Sequence, residues 1–134
     1  VVVVDSSGRD SRELRTGAVA ANILLVPFRP SQADLDTMPS LAKVIQAAQD
    51  LNPDLKCMSV LTMAHTNPSV KEAEEGRGYI AEFPELPLAK TMIHDRKIYR
   101  DALSEGKGVV ESDNIKAKEE IFQLLEEVLN GQNT

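Results

Sequence analysis

VVVVDSSGRDSREL, residues 1–14, places four β-branched residues in succession directly before a polar, glycine-containing loop. Such a run reads as a parallel strand buried on both faces and closed by a tight turn, and a strand of that kind needs helices on either side. The overlapping stretch RDSRELRTGAVAA, residues 9–21, sets Leu14, Gly17, Ala18 and Ala21 at i, i+3, i+4 and i+7. That is one helical face with small residues for close packing, and Asn22 is expected to close it. Strand, polar loop, helix is the unit from which the remaining chain is read.

The unit recurs. NILLVPF supplies a second strand over residues 23–26, with Pro27 expected to end it because proline has no N–H for the ladder. Ser31 and Asp34 stand three apart like a capping box and open a helix carrying Leu35, Met38, Leu41, Ile45 and Ala48, which Pro39 should kink or restart. Residues 57–64, CMSVLTMA, form a third strand that runs into His65, Thr66, Asn67 and Pro68. The next helix aligns Val70, Ala73, Arg77 and Ile80, with Gly76 and Gly78 read as interruptions. Pro84 and Pro87 bracket the turn into a fourth strand, residues 88–93, which finishes in His94, Asp95 and Arg96. A short helix from Lys97 should stop at Gly106, a C′ glycine. The last helix should begin at Ser112 or Asp113, reach Asn130, and dock through Ile115, Ile121, Phe122, Leu125, Val128 and Leu129.

Strands alternating with helices and ending in polar loops predict an α/β fold: a doubly wound, mostly parallel sheet with helices on both faces. Ligands in such sheets sit beyond the carboxyl ends of the strands. The loops to weigh are residues 5–9, 28–31, 65–68 and 94–99.

Composition bounds the function. The chain has 134 residues, 42% of them apolar and 27% charged, which suits one globular domain and excludes collagen-like, low-complexity and wholly disordered classes. The longest uncharged apolar run, residues 18–28, contains Asn22 and Pro27 and is too short to span a bilayer. Cys57 is the single cysteine, so no internal disulfide forms and a cytoplasmic setting is expected. A net charge of -6 argues against a generally basic nucleic-acid binder but leaves local patches open.

Several residues are candidates for chemistry, and each has two readings. VVVVD followed by SSG is an hhhhDxxG pattern: Asp5 at a strand end can hold the water shell of a magnesium ion, while Gly8 lets the backbone turn toward a terminal phosphate. The same pattern also ends strands simply because it turns well. Arg96, Lys97 and Arg100 cluster after the fourth strand and suit phosphates, or else pair with Asp95 and Asp101 in a solvated turn. His65 and His94 have no Cys or acidic residue at metal spacing and read as loop or base-pocket histidines. Cys57 reads as an inert buried thiol. Tyr79 and Tyr99 are too few for a stacking platform, and Ser6, Ser7 and Ser31 lack the G-x-S-x-G elbow of a nucleophile.

The order of these features resembles the ParA family of plasmid and chromosome partition ATPases, a branch of the deviant P-loop ParA/MinD superfamily. The likeness covers essentially the whole chain. Its most specific parts are residues 5–14, LVPFRPSQADL at 25–35 and RKIYRDALSEGKGV at 96–109. The resemblance implies a P-loop NTPase-like sheet and an ATP-switched homodimer that binds nonspecific DNA and is stimulated by a centromere-binding, ParB-like partner in the nucleoid. It implies that Asp5 assists magnesium through water and that the loop around Gly8 senses the γ-phosphate. Thr62 and Met63, with Ile93 and Arg96, would border the adenine, and Arg96, Lys97 and Arg100 would contact DNA.

One departure matters. No glycine-rich loop with Lys and Ser/Thr, the cradle such an enzyme needs, occurs in this sequence, nor does the signature lysine that reaches across the dimer. Residues 1–134 are therefore expected to be the C-terminal part of one ParA-like domain, truncated at its N-terminus and inactive alone, with ATP and magnesium bound by the longer protein. The edge left by a missing neighbour predicts either a rearranged sheet or pairing of residues 1–4 with another chain. Two other readings stand beside this one. A non-enzymatic α/β interaction module would never have had a cradle, and a phospho-receiver with Asp5 as acceptor would need an earlier acidic pair that the chain does not show. The terminal helix carries Glu119, Glu120, Glu126 and Glu127, which an anionic membrane would repel, so no membrane partner is expected.

Overall fold

Three of the four apolar runs form a parallel sheet in the computed structural model, which describes residues 1–7 and 10–130. β1 (Ile23–Phe28), β2 (Lys56–Ala64) and β3 (Leu88–His94) lie side by side in that order. The helices are α1 (Arg12–Ala20), α2 (Gln32–Leu35), α3 (Met38–Leu51), α4 (Glu72–Ile80), α5 (Lys97–Ser104) and α6 (Ile115–Asn130), with a 3-10 turn at Val109–Glu111. Both crossovers step the same way along the sheet, so connections of one hand place α3 and α4 on the same face. There Met38, Ile45 and Ile80 meet Phe28, Cys57 and Leu61 in the main core. On the opposite face Leu124 and Val128 of α6 cover Met58, Val60 and Ala89. The α/β class with helices on both faces is thus observed.

Residues 1–4 depart from expectation. They belong to no strand, and each is at least 76% exposed. Four valines form a buried strand only where a neighbour accepts their ladder and helices cover their faces, and among the described residues none does either. The sheet is not rearranged to receive them.

Smaller corrections have local causes. β1 continues through Pro27, which sits opposite Val60, because β1 is an edge strand of this sheet and tolerates a missing donor. Asn52, not Asn22, closes α1: its amide donates to the carbonyls of Val19 and Ala21 at 2.9 Å each, and residue 21 is the C-cap. Gly17 does not mediate close packing, since an added Cβ would meet nothing within 4 Å. Gly76 and Gly78 do not interrupt α4, and Gly76 lies against Pro30. Asn114 caps α6 by accepting from the Ala117 N–H at 3.0 Å, so the helix starts at Ile115.

Other expectations hold. Ser31 caps α2, Pro39 restarts the helix within the first turn of α3, and the Asp34 carboxylate accepts instead from the Arg29 N–H at 2.8 Å. Gly106 adopts φ 68 after α5; its N–H donates to Leu103 and the Lys107 N–H to Ala102, a complete Schellman end.

Candidate functional site

The parallel ladder brings four of the predicted site residues to one edge. Thr62 and Met63 directly precede Ala64, the last residue of β2, Ile93 precedes His94, the last of β3, and Arg96 is the N-cap of α5 beside it. Two irregularities shape this edge. Leu61 pairs with Met92 and Ala64 with His94, so β2 holds one extra residue there. Met63 takes up the excess with φ 54, a left-handed conformation costing a bulky residue about 1 kcal/mol, and its side chain is left 41% exposed. The same extra residue explains why Leu61 and Ala64, of opposite parity, both enter the main core. Thr62 donates its hydroxyl to the Phe28 carbonyl at 3.1 Å, and the Asp95 N–H donates to the Ala64 carbonyl at 2.8 Å.

A buried carboxylate organises the far side of the edge. Glu120 of α6 is 8% exposed, and its Oε1 accepts from His94 Nδ1 at 2.7 Å and from Arg96 Nη2 at 2.8 Å. Its Oε2 accepts from the Tyr99 hydroxyl at 3.0 Å. Because an ionised carboxylate only accepts, His94 must carry its proton on Nδ1. Burial alone would raise the Glu120 carboxyl, but the bonds from Arg96, His94 and Tyr99 outweigh it and hold the group below the usual value. Burial, and then the bond to Glu120, pushes the Tyr99 hydroxyl up.

Glu127 does a second job on the same strand. Ser59 pairs with Leu88 and Leu61 with Met92, so β3 bulges by two residues. The N–H groups of Lys90 and Thr91 both donate to Glu127 at 2.7 Å, joined by the Thr91 hydroxyl. Burial opposes ionisation here as well, and the Thr91 hydroxyl with these two amides holds the carboxyl low. Glu120 and Glu127 are therefore inward ties of α6, not part of a solvent-facing acidic face. Sequence spacing contains the signal: 120, 124 and 127 lie on one helical side with Ala117.

The basic residues are each paired. Arg96 is committed to Glu120, Lys97 reaches Asp101 at 2.8 Å, and Arg100 reaches Asp95 at 2.8 Å. The last two pairs are exposed and of the kind that salt weakens readily. His65 is exposed after β2 and accepts the Asn67 N–H on Nδ1. Burial pushes the Cys57 thiol up to about 12. Asp5 lies in the exposed segment before α1 and belongs to no strand, and Gly8 lies outside the described residues.

No protein-family model matches the chain. The Maintenance of carboxysome distribution protein A of Halothiobacillus neapolitanus (strain ATCC 23641 / c2) is 28% identical over 113 residues, 83% of this chain and 51% of that protein. That likeness supports a ParA/MinD-type relationship. The chain spans about half the length of this curated relative.

The residues can be tested against the ATP and magnesium that such a relationship implies. The Thr62 oxygen, having donated to Phe28, keeps acceptor capacity for an amino group, and the exposed Met63 side chain offers an apolar surface beside it. These fit the base of a nucleotide. A magnesium ion needs a carboxylate fixed among other oxygen donors. Asp5 is not fixed in that way, and no group of three His, Cys, Asp or Glu converges on a metal position among the described residues. Magnesium in a nucleotide site is completed by waters and phosphates around one or two carboxylates; of the residues assigned to it Asp5 is the one carboxylate, and it stands in an exposed segment outside the sheet.

Proposed function

We propose that the chain is the C-terminal part of a ParA-like positioning ATPase, and that the carboxyl edge of β2 and β3 borders the adenine of its nucleotide. The convergence of Thr62, Met63, Ile93 and Arg96 at the ends of adjacent parallel strands carries the reading, because that edge is where open α/β sheets take ligands. The motif order of the sequence and the carboxysome-distribution relative support it. In this reading the longer protein binds ATP and magnesium, with Asp5 and Gly8 on the phosphate side. ATP closes a homodimer that holds nonspecific DNA through Lys97, Arg100 and Arg96, and a ParB-like partner stimulates hydrolysis. What the protein distributes, a plasmid, a chromosome or another cargo, is a choice that its partner makes.

The test is the chain joined to the residues that its reading frame encodes before Val1. A glycine-rich loop ending in Lys-Ser or Lys-Thr, and ATP hydrolysis lost on Asp5→Ala, are expected. A stop codon, an unrelated domain, or a loop-bearing protein without ATPase activity overturns the proposal and favours an interaction module.

A further inference from the structure

Helix α6 has two apolar faces, and the sheet uses one. Leu124 and Val128 turn toward β2 and β3 and Ala117 is buried, whereas Ile115, Phe122, Leu125 and Leu129 are 70%, 55%, 51% and 49% exposed. Their spacings of seven, three and four place them on a single stripe. In heptad terms Ile115, Phe122 and Leu129 share one seam position and Leu125 takes the other, with Lys118 in the same row. Glu119 and Glu126, both exposed, form an acidic ridge along one flank. Four large apolar side chains aligned in solvent mark an interaction surface.

We propose that this outward face of α6 docks an amphipathic helical segment of a partner protein, apolar along its seam and basic where it meets Glu119 and Glu126. Charge complementarity selects the occupant. A second copy laid antiparallel would oppose Glu119 and Glu126 to their own counterparts, a like-charge clash. A parallel copy would set Glu119 against Asn114 and Glu126 against Ile121, neither of which brings a cation. An anionic membrane meets the same acidic ridge. At 16 residues α6 is about 24 Å long and presents little more than two heptads, so the contact is a small, transient one.

The probe is a designed three-heptad peptide with Leu along its seam and Lys on both flanks, titrated into the chain by fluorescence anisotropy beside the same peptide with Glu flanks. The Lys peptide should bind about tenfold more tightly than the Glu peptide. Phe122→Ala, on a side chain outside the core, should weaken it about tenfold with an unchanged urea midpoint. Glu119→Lys with Glu126→Lys should reverse the preference. Equal binding of the two peptides, or indifference to Phe122→Ala, overturns the proposal. So does a concentration-dependent dimer abolished by Phe122→Ala, or sedimentation of the chain with phosphatidylglycerol vesicles.

Discussion

Arg96 Nη2 lies 2.8 Å from Glu120 Oε1, across 24 residues of sequence, and this pair ties the terminal helix to the loop beyond β3. Because Glu120 also accepts from His94 and Tyr99, one carboxylate fixes three side chains at the proposed base edge. Glu120→Ala would leave the partly buried Arg96 without this acceptor and Tyr99 with only its longer bond to the Ala117 carbonyl at 3.4 Å. A loss of about 2–3 kcal/mol in urea unfolding is expected, and a change under about 0.5 kcal/mol would show that the tie contributes nothing to folding.

The same group sets an acid limit. Glu120 and Glu127 are held below their ordinary value of 4.5, so the folded state binds these protons less tightly than the unfolded chain. The stability they supply is fully present above pH 4.5 and drains away as pH falls through their lower folded values. The difference in unfolding free energy between the wild type and Glu120→Gln should be flat near neutrality and shrink below pH 4.5. A difference that grows with acidity contradicts the assignment.

Glycine exchange separates two kinds of position. An alanine Cβ at Gly76 would lie 3.4 Å from Pro30 Cβ, ordinary contact, so Gly76→Ala should stabilise α4 by about 0.5–1 kcal/mol through helix propensity. Gly106 has φ 68, where a Cβ is strained, and Gly106→Ala should cost about 1 kcal/mol. Thermal midpoints moving in opposite directions check both.

Cys57 gives a kinetic readout. With the thiol pushed up to about 12 by burial, the native chain should resist a thiol reagent at neutral pH and react at once in urea. Fast native labelling would mean that β2 opens readily.

The strands at 23–28, 56–64 and 88–94 were legible because continuous apolar runs bounded by prolines and polar loops have few alternatives in an α/β chain. Gly106 and Pro39 were legible because each has one dominant conformational use. Residues 1–4 were misleading, since a buried-strand pattern states what a segment can do only where neighbours exist to receive it. The docking face of α6 was hidden by an ambiguity: Ala117, Leu124 and Val128 compete with Ile115, Phe122 and Leu129, and the larger residues lost. Glu120 was the hardest to place. A buried glutamate that ties down a partly buried arginine looks, in sequence, like any glutamate on a solvated face.

The central claim is tested most directly by titrating the isotope-labelled chain with ATP and following its amide resonances. Weak binding is predicted, in the millimolar range and without hydrolysis, with shifts concentrated at Thr62, Met63, Ile93 and Arg96. Micromolar affinity, or shifts that bypass those four residues, would contradict it.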